Sequence, residues 1–250
     1  MHYAGGKSRQ GSKIAEYVIK VWHPGVPYYE PFCGALGAAH RVLLAMIEQS
    51  SEPPDAFLSD RNDAVINMWK AVLSGWTPPS RVTKEEYDAV RKGNRDPNDP
   101  ITAFYGHCQS LGSSWFSAYG TNQKGINIAA SAQRTILMKG AILSRVKLDL
   151  EARDYQDVKP NGAVVYLDPP YADVSHKYRD RIDHEEFWKY AESLLTTNTV
   201  LVTEFKAPDD WIRIYSWGDT TMRHGTTREK RNVPTESIFV HESQLHLWNF

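Results

Sequence analysis

The sequence has only two cysteines, Cys33 and Cys108, and no Cys-x-x-Cys, so a disulfide scaffold is excluded. It has almost no excess charge: 29 Lys and Arg against 30 Asp and Glu leave −1. No global positive field draws in a polyanion, and any nucleic-acid contact has to be a local patch. Long apolar runs are missing as well. The longest, Val42-Leu-Leu-Ala-Met-Ile47, is far short of the about 20 residues that cross a bilayer. No apolar segment follows the charge near Met1, so the expectation is a soluble, cytoplasmic chain without a signal peptide or membrane contact. The nine histidines show no metal-ligand spacing with the cysteines, and no metal is expected. Gly-x-Gly-x-x-Gly is absent, which argues against a nicotinamide dinucleotide. What is present is ordinary: 250 residues, 41% hydrophobic and 24% charged, enough for one large α/β domain or a core domain with an insertion.

Ile14, Tyr17, Val18, Val21 and Trp22 recur at helical spacing, and Pro24, Gly25 and Pro27 stop that helix. Tyr28 to Phe32 reads as a strand running into a glycine turn, Ala38 to Gln49 as a helix and Asp55 to Ser59 as a strand. Asn62 is placed to cap a helix with the stripe Val65, Met68, Trp69, Val72, Leu73. Helices alternating with strands call for a parallel sheet. Near Gly75 the rhythm changes. Thr83 to Glu86 is a capping box, Asn94 to Pro100 is turn material, and helical stretches at Ile101 to Ser110 and Ile128 to Leu143 flank an irregular segment. Residues 76–144 are expected to form a mostly helical insertion, with 1–75 and 145–250 making up the main domain. Strands resume at Val146 to Leu150 and Ala163 to Leu167; a helix at Asp183 to Leu195 and a strand at Thr199 to Thr203 follow. The end, Trp211 to His246, is expected to be β-rich around a basic turn at 226–231.

Asp168-Pro-Pro-Tyr171 follows the strand Ala163 to Leu167 directly. In an open α/β sheet ligands bind beyond the carboxyl ends of the strands, so these four residues stand where a site is expected. Asp168 offers an acceptor oxygen. Pro169 and Pro170 remove N–H groups and fix φ, leaving the Pro169 carbonyl as a second rigid acceptor. Tyr171 adds a flat face. Two acceptors and a ring suit a planar amine, such as a nucleobase whose NH₂ donates both hydrogens while its ring is stacked. A chain of this composition contains the tetrapeptide by chance about three times in a thousand. Glu30-Pro-Phe-Cys-Gly-Ala-Leu-Gly-Ala38 is a second strand end, whose glycines serve either close ligand approach or a tight turn into the helix. Asp60 closes the next strand, 26 residues after Gly34, where it either binds ribose hydroxyls or supports the Asn62 cap.

Taken in order, Tyr3-Ala-Gly-Gly-Lys7, Glu30 to Gly34, Ser59 to Asn62, Asp154-Tyr155 and Asp168 to Tyr171 resemble the Dam-like (D12 class) DNA adenine-N6 methyltransferases. The resemblance covers most of the chain outside the insertion and the last forty residues or so. It implies a Rossmann-like α/β sheet that binds S-adenosylmethionine, with 76–144 as a small, mostly helical target-recognition domain. It further implies that Tyr3 and Lys7 line the methionine end of the cofactor, with Phe32 and Gly34 along the methionyl and ribose region. Asp60 would take the ribose hydroxyls, and Asp154 with Tyr155 would flank the cofactor's adenine. Asp168, Pro169, Pro170 and Tyr171 would hold an adenine flipped out of double-stranded DNA, Asp168 standing where base and cofactor meet. The family's Phe-x-Gly-x-Gly is stretched by one residue here, so Gly37 is not equated with its second glycine. The insertion does not match that of GATC-reading members, so a target sequence is not inherited.

The chemistry expected is direct methyl transfer to adenine N6, with Asp168 and the Pro169 carbonyl accepting the amino hydrogens. Neither cysteine follows a proline, as a cytosine-C5 nucleophile would, and Cys33 reads as a packing residue. Trp115, Lys124, Arg134, Arg228 and Arg231 are the expected DNA contacts. Cytosine-N4 methylation uses the same amine logic, although those enzymes more often carry Ser in place of the first Asp. RNA or protein amino methylation, more often with Asn-Pro-Pro-Tyr, is a further alternative.

Overall fold

The computed structural model of the chain describes residues 6–93, 95–121, 127–171, 182–218 and 235–248. Tyr3, Lys124, Arg228 and Arg231 lie outside them. Within them, β1 (Tyr28–Glu30), β2 (Asp55–Asp60), β3 (Lys147–Ala152), β4 (Val164–Leu167), β5 (Thr199–Glu204), β6 (Trp211–Ser216) and β7 (Ser237–His241) form one sheet in the order β3-β2-β1-β4-β5-β7-β6. The first five strands are parallel; β7 runs antiparallel to both β5 and β6. This is a Rossmann-like arrangement, as expected. The strand order reverses between β1 and β4, so the crevice of this fold opens where Glu30 and Leu167 end.

Alternation along the strands builds a core on each face of the sheet. Val164 and Tyr166 of β4 face one cluster, with Ile14, Val18, Leu43, Met46 and Val65, while Val165 and Leu167 face the other, with Phe187, Tyr190 and Leu194. The first face is covered by α1 (Gly11–Val21), α2 (Ala39–Gln49) and α3 (Asp63–Leu73), the second by α7 (His184–Ser193). Asn62 caps α3 as its sequence position suggested, accepting from the Val65 N–H. Thr83 and Glu86 close the expected capping box of α4 (Lys84–Lys92).

The described residues of 76–144 carry, besides α4, the helices α5 (Pro100–Ala103) and α6 (Ala129–Leu143). Its Val82, Tyr87, Phe104, Phe116 and Ile136 join the same hydrophobic cluster as α1 to α3. One local expectation is corrected. The stretch Ile101 to Ser110 is not one helix: α5 lasts one turn and passes into a π-helical segment, Phe104–Cys108. There Gly106 admits the Trp115 ring, whose atoms lie 2.5 Å from where a Cβ would stand. The described part of the chain end is β-rich as expected, with β6 and β7; the expected turn at 226–231 lies outside the described residues, and after β7 the His241 side chain caps a 3-10 segment, Glu242–Leu247. Among the described residues, no helix is long and apolar enough to cross a membrane, and no group of three His, Cys, Asp or Glu is placed to hold a metal.

Candidate active site

Asp168 leaves β4 at the reversal point of the sheet and is the hub of a small polar cluster. Its Oδ1 is 2.8 Å from Lys7 Nζ, accepts from Thr203 Oγ at 2.8 Å, and lies 3.2 Å from the Tyr171 hydroxyl. Among the described residues no hydrogen bond reaches Oδ2, and the side chain is 12% exposed. Tyr171 gives its shorter bond, 2.6 Å, to Glu236 Oε1, which is also 3.2 Å from Lys7 Nζ. The Lys7 ammonium stands 4.5 Å from the centre of the Tyr171 ring, and that ring packs edge-on against Phe205. Thr203 is fixed in turn by Tyr166, hydroxyl to hydroxyl at 2.8 Å.

Two carboxylates against one ammonium leave this cluster with a charge of −1 when all three are ionised. Burial pushes the Asp168 carboxyl above its ordinary range, and the adjoining Lys7 ammonium opposes that. Burial drives the Tyr171 phenol well above its ordinary value, so it stays protonated and donates. Glu30, at the end of β1, is pushed up to about 8 by burial, against the pull of the Tyr28 hydroxyl that donates to it at 2.6 Å.

The turn after β1 is held from several sides. Asp60 accepts the Gly34 N–H on one oxygen (2.9 Å) and the Asn62 N–H on the other (2.8 Å), tying this turn to the end of β2. Gly34 is left-handed, at φ 44°. Trp69 Nε1 donates to the Gly34 carbonyl at 3.2 Å. The place of Gly37 is now defined: a Cβ there would meet the Lys7 backbone nitrogen at 2.4 Å. Gly37 thus lets the N-terminal segment cross the turn, and that crossing delivers Lys7 to Asp168. Cys33 is buried beside it, its thiol driven well above the ordinary range by burial, as suits a packing residue.

The remaining expected residues fall into separate groups. Phe32 and Tyr155 meet with ring centroids 5.1 Å apart and share Phe187 as a neighbour. Asp154 caps a short 3-10 turn, Tyr155–Asp157, through the Gln156 N–H and lies 3.7 Å from Arg61 Nε. Trp115 is half-buried against His107 and Phe116. Arg134 is exposed on α6. Sequence reading missed Thr203 and Glu236. Thr203 carried a usable signal, since it follows the β5 residue paired with Leu167 and so stands beside Asp168. Glu236 carried none, because its place depends on β7 running antiparallel to β5.

Comparison with solved structures gives the rRNA methyltransferase aviRa from Streptomyces viridochromogenes, at TM-score 0.41 and 13% identity over 94% of this chain and 86% of that one. SMU.472 complexed with SAH gives 0.36 and 12%, over 91% of this chain and 51% of that one. Scores this low carry no functional argument. Comparison with curated proteins gives no match. The family description that matches, D12 class N6 adenine-specific DNA methyltransferase, spans residues 3–224 and takes in both the Glu30 to Gly37 turn and Asp168 to Tyr171. The chain belongs to the D12 class N6 adenine-specific DNA methyltransferase family.

Proposed function

We propose that this adenine-N6 DNA methyltransferase acts on an adenine turned out of double-stranded DNA and held by Asp168, Pro169, Pro170 and Tyr171. The observation that carries this reading is the polarity of Asp168: among the described residues its donors converge on Oδ1, and none is bonded to Oδ2. One amino hydrogen of adenine bonds that oxygen and the other the Pro169 carbonyl, while the Tyr171 ring stacks on the base. With both hydrogens held, the N6 lone pair is drawn out of the ring and forms the new N–C bond. A bound donor would supply the carbon and keep the S–C bonding pair on its sulfur, and the N6 proton lost would leave through its hydrogen bond to Asp168 toward solvent.

S-adenosylmethionine is the family's methyl donor, and the residues present fit it. The net −1 of Lys7, Asp168 and Glu236 complements a sulfonium. Asp60 is oriented by two backbone amides, and a carboxylate has acceptor capacity for ribose hydroxyls beyond those two bonds. When bound, the donor supplies an electrophilic methyl carbon. Lys7 faces its methionine end and favours the ionised form of Asp168 against its burial; Phe32 and Gly34 border the methionyl and ribose region, and Asp154 and Tyr155 its adenine. Residues 76–144 serve as the target-recognition unit. Arg134, exposed on α6, is the phosphate contact we favour within that unit. Trp115, half-buried in packing, supports that surface.

Sequencing for N6-methyladenine in DNA from cells expressing the chain yields the target. A duplex with 2-aminopurine at the target adenine should then brighten on binding, as the base leaves the stack. Tyr171→Ala should lose that brightening more than Tyr171→Phe, since base stacking is worth about 1–3 kcal/mol. An unchanged signal with a methylation-competent enzyme would overturn the extruded-base reading.

A further inference from the structure

Lys139 has no place in the chemistry above, yet it is 1% exposed and among the largest fully buried side chains. Its Nζ donates to the Ala35 carbonyl at 2.7 Å and to the Leu36 carbonyl at 3.0 Å, more than a hundred residues away in sequence. Those two carbonyls belong to the turn between β1 and α2, at its most constrained point. Leu36 is a non-glycine residue in the left-handed region, at φ 56°. Gly37, next to it, lies under the Lys7 backbone. Other polar groups of the turn are held by the main domain: Asp60 takes the Gly34 N–H, Trp69 reaches the Gly34 carbonyl, and the ring of His40 is 2.7 Å from the Leu36 carbonyl. Lys139 alone among these comes from the helical region 76–144. Its helix is seated closely, because a Cβ on Gly140 would stand 2.8 Å from Val72 of α3. Burial lowers the Lys139 ammonium to about 8, with Glu30 favouring its charge. Placing a cation here is unfavourable unless its bonds to the turn repay it.

We infer that Lys139 is a positioning residue for the cofactor turn Phe32 to Gly37, and that the helical region is thereby a structural part of the methyl-donor site. This rests on the reading of that turn as the cofactor's. It follows that the region cannot be exchanged for a different target-reading segment unless the α6 lysine is kept.

The test is the binding of S-adenosylhomocysteine to the full chain by calorimetry, without DNA, alongside thermal melting. Lys139→Met keeps most of the volume and removes the donors, leaving two buried carbonyls without the lysine's bonds. It should weaken S-adenosylhomocysteine at least tenfold and raise the KM for S-adenosylmethionine in step, with kcat at saturation and the KM for DNA changing less. Ile136→Ala, in the core face of the same helix, should lower the melting temperature yet bind S-adenosylhomocysteine within about twofold of wild type. Should Lys139→Met fail to fold, Lys139→Leu, which also lacks the donors, reads the same loss. In wild type, S-adenosylhomocysteine should slow amide exchange in both 33–37 and 136–143. Wild-type affinity in the folded lysine variants, an equal loss in Ile136→Ala, or exchange in 136–143 indifferent to ligand would each overturn the inference. If wild type itself bound no S-adenosylhomocysteine, the cofactor reading would fail instead.

Discussion

Replacing Asp168 by Asn separates the chemistry of the site from its stability. The Asn carbonyl oxygen will settle at the Oδ1 position, where Lys7 and Thr203 donate. Its NH₂ then occupies the Oδ2 position and presents hydrogens to the adenine amine, which also donates. One positioned acceptor becomes a repelling donor. Loss of a single preorganised partner at a reacting centre is worth about 10²–10³ in kcat, or about 2.7–4 kcal/mol, and the fall should be at least that. Stability should move the other way. Burial raises the folded pKa of Asp168 above its ordinary value, so the folded chain binds more protons than the unfolded chain between the two values. By linkage, stability is then lost as pH rises through the folded pKa, and the ionised carboxylate is a burden on the fold at neutral pH. Asp168→Asn should therefore melt at or above the wild-type temperature at pH 7.5, with the difference shrinking as the pH is lowered. Methyl incorporation from labelled S-adenosylmethionine measures the first effect and calorimetric melting the second. Turnover within tenfold of wild type, or a markedly lower melting temperature at pH 7.5, would refute the reasoning.

Glu30, pushed up to about 8 by burial, makes wild-type stability fall as pH rises from its ordinary 4.5 through about 8. Glu30→Gln should flatten that decline, as read by urea midpoints at pH 5, 7 and 9. Gly37→Ala sets a methyl 2.4 Å from the Lys7 backbone nitrogen. Overpacking of about 1–3 kcal/mol should follow, at about 2–4 °C of melting temperature per kcal/mol, together with a fall in turnover as Lys7 is displaced. Arg134→Ala should reduce the slope of log affinity against log salt by about 1 for target and non-target duplexes alike, measured by fluorescence anisotropy.

Much of this protein can be read along the chain because its evidence is local. The Asn62 cap, the Thr83 capping box and the helical stripe of α1 each lie within a few residues of one another, so side-chain chemistry and spacing suffice. So does Asp168 to Tyr171, whose rigid acceptors follow from proline covalent geometry at a strand end. Asp60 was legible as a ribose binder or a support for the Asn62 cap, but not as the brace that also holds the Gly34 N–H. Tertiary structure alone decided which distant groups meet. Thr203 and Glu236 reach Asp168 and Tyr171 because β5 and then β7 lie beyond β4, an order that no periodicity records. Lys7 arrives because Gly37 lets one segment pass over another, and Lys139 because Gly140 lets α6 close on α3. Hydrophobic spacing fixes which face of an element is buried. It does not fix which neighbour that face will find, since any apolar partner of suitable shape answers the same need.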